Sequence, residues 1–511
     1  MKLNIKNSLK KIKEVFIKNK ENIIIYCGIL IFSIFILWGF LSGHYATDTY
    51  NIINRGYEKY AIDHSLSDGR VFMAIIGLTA HALKLPILAY VVITTLLAII
   101  VSCFVVMVLY HIIIENKQDL KEVSVKSKII AILISYVTIF NFMYIENMYF
   151  VESIVMAISI LLYLLAANIL VKREKNYIIK SSLLVVLGLF CYQGTIGFFL
   201  CSVCLISFLA KKNWKKVIGN IIIAGYIVVF SVLVNMIQVA IFENLLNLKQ
   251  ERIGNIKDIP YNIFVILRNL PNILAISARI YPKCLFIIFM IVLICIISIY
   301  LIRKNKNNIL EILFLTLFSI ATSFSTQILS LGNLFAGRVN FSIGATIGVI
   351  FAYAFCRTKI FENRSYEKYC IIAILFIYFT VNACNYKVVI NESKKINVLE
   401  KKEVEEIEEY MKEHEKENNI KIDKICYITE KNSIRRLFLN NSKYTSFVTY
   451  NAVHTKWSFD GAINLYSGRN LQIIEMIPEA YELYIDNLKN NKKRNDYFCL
   501  GDTLCVVMNF F

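Results

Sequence analysis

The sequence predicts an all-α polytopic membrane protein of about 11 spans with a small C-terminal extracytoplasmic α/β domain. Three observations carry that expectation. Of 511 residues, 57% are hydrophobic and only 18% are Asp, Glu, Lys or Arg, against about 25% charged residues in soluble domains. The apolar residues fall in blocks of 20 or more, the length that a hydrocarbon layer of about 30 Å demands of a spanning helix. From Tyr386 onward the pattern changes to a charged helix followed by short strand-like runs. A soluble cytosolic enzyme, a disordered chain and a disulfide scaffold are excluded.

Loop charge sets the expected orientation, because cytoplasmic loops collect Lys and Arg. The basic start, MKLNIKNSLKKIKEVFIKNK, precedes an apolar run from Asn22 to Ser42 that is too long for a signal peptide and lacks a small-residue cleavage site. It reads as an uncleaved first span with a cytoplasmic N-terminus. Residues 43–70 then form the first outer loop. Val71 to Leu85 is too short to span and carries His81 and Lys84, which suits an interfacial or re-entrant segment. Ile87 to Ile113 returns inward to a lysine-rich loop. Residues 128–145 lead out and residues 150–171 lead back to KREKNYIIK.

The block from Ser181 to Ala210 has basic flanks on both sides, so it reads as a hairpin turning near Tyr192-Gln193-Gly194. Alternation then continues: 216–242 out, a long outer loop over 243–282, 283–302 in, 309–331 out, 339–356 in, and 369–385 out. The domains expected are therefore 1–385 in the membrane and 386–511 outside. In the tail, KKEVEEIEEYMKEHEKEN reads as a solvated stalk helix with i,i+4 charge pairs. KICYIT, SFVTY, LQIIEM and TLCVVMNF read as strands, and PEAYELYIDNLKN as a helix.

The net charge of +19 could suggest nucleic acid. Its distribution argues otherwise, since the tail from Tyr386 balances 19 basic against 19 acidic residues, leaving 37 basic and 18 acidic residues in the membrane part. No compact basic domain remains, so no nucleic-acid partner is expected. The 13 cysteines show no metal-binding spacing. Ten lie in or beside apolar segments, and of Cys426, Cys499 and Cys505 one pair could oxidise outside the cell. No metal or cofactor is expected, since HExxH, CxxC, a P-loop and a GxGxxG in a βαβ setting are all missing from the sequence.

Polar residues near the outer face are the candidates for chemistry. Asp48 follows the first span and Asp68 precedes the short apolar segment, so both could sit at one membrane depth. A carboxylate there could serve as general base on an acceptor hydroxyl while an anionic lipid-borne group departs. Arg70 and Arg338, at outer span ends, could assist a departing phosphate. The bland alternative is mutual pairing of loop charges, and it is preferred for Glu58, Lys59 and Asp63. Glu146 and Glu152 bracket a turn and could cap helices or bind sugar hydroxyls. Tyr192 and Gln193 could stack on a sugar ring and bond its hydroxyls, or simply make the turn. Arg252, Arg268, Arg279 and Tyr281 lie in the long outer loop. His454, Trp457 and Asp460 could form an acceptor cluster, although a Trp-packed helix start is the preferred reading.

The segments TDTYNIINRGYEKY, DGRVFMAIIGLTAHALKLP, FCYQGTIGFFL and AGRVNFSIG, in that order, resemble the Gtr-type bacterial glucosyl transferases. The best-known members are serotype-converting integral membrane enzymes of the GT-C class. The resemblance covers roughly residues 20–356, with a weaker match in the outer tail. It implies a GT-C-like fold in the bacterial plasma membrane and a polyprenyl-phosphate-linked sugar donor at the outer leaflet, with glucose as the expected sugar. It also implies inverting transfer to an envelope polysaccharide or teichoic-acid-like acceptor. The catalytic Asp of the first outer loop maps to Asp48, with Asp68 as the second acidic position. This chain has Thr-Asp-Thr-Tyr where a tandem acidic pair would be expected, which leaves open which Asp is the base. Direct displacement needs one base and no covalent enzyme intermediate. Cytoplasmic loops too short for a nucleotide-sugar site favour the lipid-linked donor independently. A lipid-linked sugar flippase or exporter would instead need mid-bilayer charges and commonly a repeat. A glycan polymerase or ligase would share the outer-face logic.

Overall fold

The computed structural model describes residues 20–117, 124–248, 256–276, 279–304, 308–328, 336–362, 366–430, 447–489 and 496–509. The basic N-terminal stretch and Arg252 lie outside the described residues. Helices dominate. Among the described residues, six are long and apolar enough to cross a membrane: α1 (Lys20–Leu41), α4 (Ile87–Asn116), α7 (Ser153–Lys172), α10 (Trp214–Leu246), α12 (Leu285–Arg303) and α15 (Tyr366–Asn418). Shorter apolar helices pack among them: α8 (Tyr177–Cys191), α9 (Gly197–Leu209), α13 (Ile309–Thr322) and α14 (Phe341–Arg357). Every residue of α14 from Phe341 to Phe355 is buried, as expected of a helix that is apolar on all faces.

Ion pairs gather at one end of the bundle. Lys172 meets Glu115 at 2.7 Å, Lys117 meets Glu362 at 3.6 Å, and Arg357 meets Glu311 at 3.4 Å. The Tyr353 hydroxyl also donates to Glu311 at 2.6 Å. The block 181–210 is broken at Tyr192, where the backbone becomes extended between α8 and α9. Tyr177 lies beside Arg173 at the start of α8, and Lys211, past α9, lies in the field around Cys356 and Lys117. Both limbs therefore return to the ion-paired end, and the turn at Tyr192 lies at the other.

That other end carries residues 43–70, which form helices rather than an open loop. After α2 (Thr47–Arg55) the chain makes a short helix, Tyr57–Tyr60, and a wider π-type turn, Ala61–Leu66. Next comes α3 (Val71–Ala82), whose 12 residues rise about 18 Å, less than a hydrocarbon core. Between α5 (Val125–Ile139) and α7 lies α6 (Tyr144–Tyr149), in which every residue is buried. The stretch expected as a long outer loop contains the helix α11 (Ile259–Ile276).

Helix α15 is continuous over 53 residues, so the boundary expected between residues 385 and 386 falls inside it. Its charged half makes the expected pairs, Lys401 with Glu405 and Lys402 with Glu406, each at 3.7 Å. It is not solvated all round, however. Val404, Ile407 and Met411 are buried with Ile425, Leu504 and Val506 in one apolar cluster. These last residues belong to a four-stranded sheet of order β2-β1-β4-β3. Strands β1 (Lys424–Glu430), β2 (Gln472–Ile473) and β4 (Thr503–Asn509) are parallel, and β3 (Tyr497–Leu500) returns antiparallel on β4. The expected strand SFVTY is instead a 3-10 turn over Phe447–Thr449, and β3 was not expected. Cys426 and Cys505 are register partners, with sulfurs 3.4 Å apart. Two helices, α16 (Phe459–Ser467) and α17 (Pro478–Lys489), complete this C-terminal unit.

The unit docks on α2 through Glu400 of α15. The Tyr50 hydroxyl and the Asn397 amide each donate to Glu400 at 2.8 Å, and the Ala452 N–H donates to its other oxygen. Burial pushes the carboxyl up to about 7, against those donors, which favour the ionised form. A carboxyl raised in the folded state contributes stability that is whole below its unfolded value and lost as pH rises through its folded value. Thermal unfolding in detergent is therefore expected to show stability falling between about pH 4.5 and 7, with a flatter profile for Glu400→Gln. Identical profiles would show that Glu400 does not titrate in the docked state.

Candidate functional site

At the end opposite the ion pairs, the candidate residues of the sequence meet. Arg70 precedes α3, so its side chain is aimed by the turn 66–70. Its guanidinium pairs with Glu152 at 3.0 Å and Asp68 at 3.4 Å and lies 5.1 Å from the centre of the Tyr192 ring. All three side chains of this ion cluster are largely buried. Burial would lower the Arg70 pKa, but Glu152 and then Asp68 outweigh it and raise it. Gln193, in the turn between α8 and α9, donates from Nε2 to the Asp68 carbonyl at 2.6 Å. The turn thus ties the hairpin to the 66–70 segment.

Arg338 enters from the start of α14. Its guanidinium lies 4.0 Å from the centre of the Phe150 ring, and its backbone N–H donates to Glu146 at 3.2 Å. The space beside the preceding Gly337 is tight. A Cβ on Gly337 would stand 2.9 Å from Ile280 Cδ1 and 3.3 Å from the Glu146 carboxyl carbon. Glu146 is 1% exposed. Burial raises its pKa, opposed first by the Arg338 charge. Among the described residues, its Oε1 has no hydrogen-bond partner, nor does either amide atom of the buried Asn147. Such atoms cost about 1–3 kcal/mol each when left unsatisfied.

Asp48 sits in the first turn of α2, half-buried. Its charge acts on Arg338 and on the phenols of Tyr60 and Tyr149. Arg338 in turn feels Tyr192, Asp48, Glu146 and Glu152, while Arg70 feels Glu152, Asp68, Tyr192 and Tyr60. One electrostatic centre therefore joins the two arginines, with Tyr192 and Glu152 common to both. Within it Asp68 is held against Arg70.

Several members have no signal in the sequence. Tyr60 is buried, and the charges of Asp48, Glu152 and Arg70 act on its phenol. Phe150 carries Arg338, and Tyr450 reaches the site from the C-terminal unit, where Glu146, Arg279 and Arg338 act on it. Other expectations resolve toward structure. Asp63 lies 4.0 Å from Arg55, and Glu58 lies 3.7 Å from His81. Tyr281 stacks on Phe142 with centroids 4.6 Å apart, and Arg268 is exposed. His454 meets Glu403 at 3.0 Å, whereas Asp460 is buried against the Tyr427 hydroxyl, so the two do not converge on one surface. Among the described residues, no group of three or more His, Cys, Asp or Glu side chains could hold a metal ion.

Apolar helices around a buried centre of arginines and carboxylates define a membrane protein with a polar centre at one end of its bundle. The family model described as Glucosyl transferase GtrII matches residues 37–355, and the chain belongs to that family. It is a glycosyltransferase. No curated protein matches the chain.

Proposed function

We propose that this protein moves a hexose, expected to be glucose, from a polyprenyl phosphate to an envelope glycan at the outer face of the bacterial plasma membrane. The observation that carries this reading is the placement of Arg70 and Arg338 in one buried centre with Asp48 acting on it. An acceptor hydroxyl attacks the anomeric carbon from the face opposite the phosphate. The new C–O bond forms as the bond to the phosphate oxygen breaks, so the anomeric configuration inverts. Asp48 takes the acceptor proton, and the polyprenyl phosphate leaves with its charge held by guanidinium groups. Asp68, whose carboxylate lies 3.4 Å from Arg70, is the second choice of base.

Glu146 and Asn147 supply acceptors and donors for sugar hydroxyls, and Tyr192 supplies an aromatic face. In this reading the end of the bundle holding the site faces outward, and so does the C-terminal α/β domain. The test is transfer by the purified protein in detergent, from polyprenyl-phosphate glucose to envelope glycan of the host. Release of polyprenyl phosphate with gain of one hexose per acceptor site is the expected result. A protein that only translocates the lipid would release none, and a polymerase would lengthen the product. Comparing envelope glycans with and without the protein then names the acceptor, through loss of one side-branch hexose.

A further inference from the structure

The residues on either side of Asp48 are held by the far part of the chain. Tyr50, two residues after Asp48, donates its hydroxyl to Glu400 at 2.8 Å and shares a second bond of 2.9 Å with the Tyr466 hydroxyl of α16. Tyr45, three residues before Asp48, is held by Asn397. Its N–H donates to the Asn397 side-chain oxygen and its carbonyl accepts from the Asn397 amide, both at 2.9 Å. The same Asn397 amide donates to Glu400 at 2.8 Å. The Tyr45 and Tyr50 rings stack with centroids 5.4 Å apart, closing the clamp around the start of α2.

On the other side of Glu400, the Ala452 N–H fixes the C-terminal unit, and one turn further along α15 Glu403 meets His454 at 3.0 Å. The backbones come into direct contact there. A Cβ on Gly461 would stand only 1.8 Å from the Tyr50 carbonyl oxygen. One buried carboxylate therefore joins α2, α15 and the C-terminal unit.

We propose that Glu400 is a positioning residue for sugar transfer, which fixes the helix carrying Asp48 against the C-terminal unit and so sets the distance from base to acceptor hydroxyl. The proposal rests on the reading of Asp48 as the base. Glu400 lies outside the site, so its influence passes through Tyr50 and the backbone of α2. Ionised, as it is above about pH 7, the Glu400 carboxyl accepts from three donors at once. An amide in its place turns N–H groups toward one of them and loosens the clamp. Misplacing a reacting group by about 1 Å costs up to about 100-fold in rate, and it does so without weakening donor binding.

The test uses the full chain in detergent with polyprenyl-phosphate glucose. Glu400→Gln and Tyr50→Phe are each expected to lower kcat about tenfold, with KM for the donor changed by less than about twofold. The double variant is expected to lose no more than either single one, because both cut the same link. Wild-type kcat in either variant, additive losses, or a rise in KM equal to the fall in kcat would overturn the proposal. A second readout does not depend on the role of Asp48. In Asp48→Cys, the rate of labelling by a small maleimide is expected to change several-fold when Glu400→Gln is added. If transfer survives Asp48→Asn while labelling still responds to Glu400→Gln, the base assignment fails and the clamp stands. Labelling that ignores Glu400→Gln removes the clamp.

Discussion

Asp48→Asn is expected to leave a folded, inserted protein whose transfer rate is lower by about two to four orders of magnitude, the usual contribution of a general base. That corresponds to about 3–5 kcal/mol in the barrier. The amide occupies the same volume in the first turn of α2 and keeps an acceptor oxygen, so the phenols of Tyr60 and Tyr149 and the guanidinium of Arg338 lose only a charge nearby. Donor binding should change little, because the proton moves only as the acceptor attacks. The loss should therefore fall on kcat. Asp68→Asn provides the comparison. Its carboxylate shares Arg70 with Glu152, so its removal is expected to disturb the ion cluster and raise KM before it lowers kcat. Transfer at the wild-type rate by Asp48→Asn, with loss in Asp68→Asn, would exchange the two roles.

Much of this site could be read in the sequence because lipid leaves few places for polar groups. Aspartates, arginines and glutamates at the ends of apolar blocks were conspicuous at positions 48, 68, 70, 146, 152 and 338. The break at Tyr192 was legible for a related reason, since a block with lysines on both sides returns to the side it left. What could not be read is whatever depends on distant contacts. Tyr60 and Phe150 look like ordinary aromatic residues until the fold sets them beside Asp48 and Arg338.

The charged stretch after residue 400 has the periodicity of a solvated helix, yet Val404, Ile407 and Met411 make a narrow apolar stripe that the sheet covers. Helix periodicity does not register a stripe of three residues among so many charges. The junction was equally hidden, because Tyr50 and Glu400 are 350 residues apart and neither lies in a motif. Strand β3 was missed because its four residues are too few to show alternation.

The second large effect concerns Arg70, where structure and chemistry must be separated. Arg70→Met keeps most of the side-chain volume but removes the guanidinium that pairs with Glu152 and Asp68, whose side chains are only 6% and 10% exposed. Breaking one partner of a buried ion pair costs about 3–5 kcal/mol, since the remaining charge is stranded. Arg70→Met is therefore expected to lower thermal stability markedly and to abolish transfer, a result that alone cannot tell folding from catalysis. Adding Glu152→Gln removes one stranded charge, and the double variant should recover a large part of the lost stability.

The two readings then part. If Arg70 only neutralises Glu152, the double variant should regain transfer along with stability. If its guanidinium also holds the leaving phosphate, transfer should stay about 100-fold or more below wild type, the scale of one lost electrostatic contact in a transition state. Arg70→Lys sharpens the distinction. It keeps the charge that Glu152 and Asp68 require but loses the planar fork that grips a carboxylate and a phosphate together. Near-normal stability with a reduced kcat in Arg70→Lys would place Arg70 at the phosphate. A double variant as active as wild type would leave Arg338 to hold the phosphate alone.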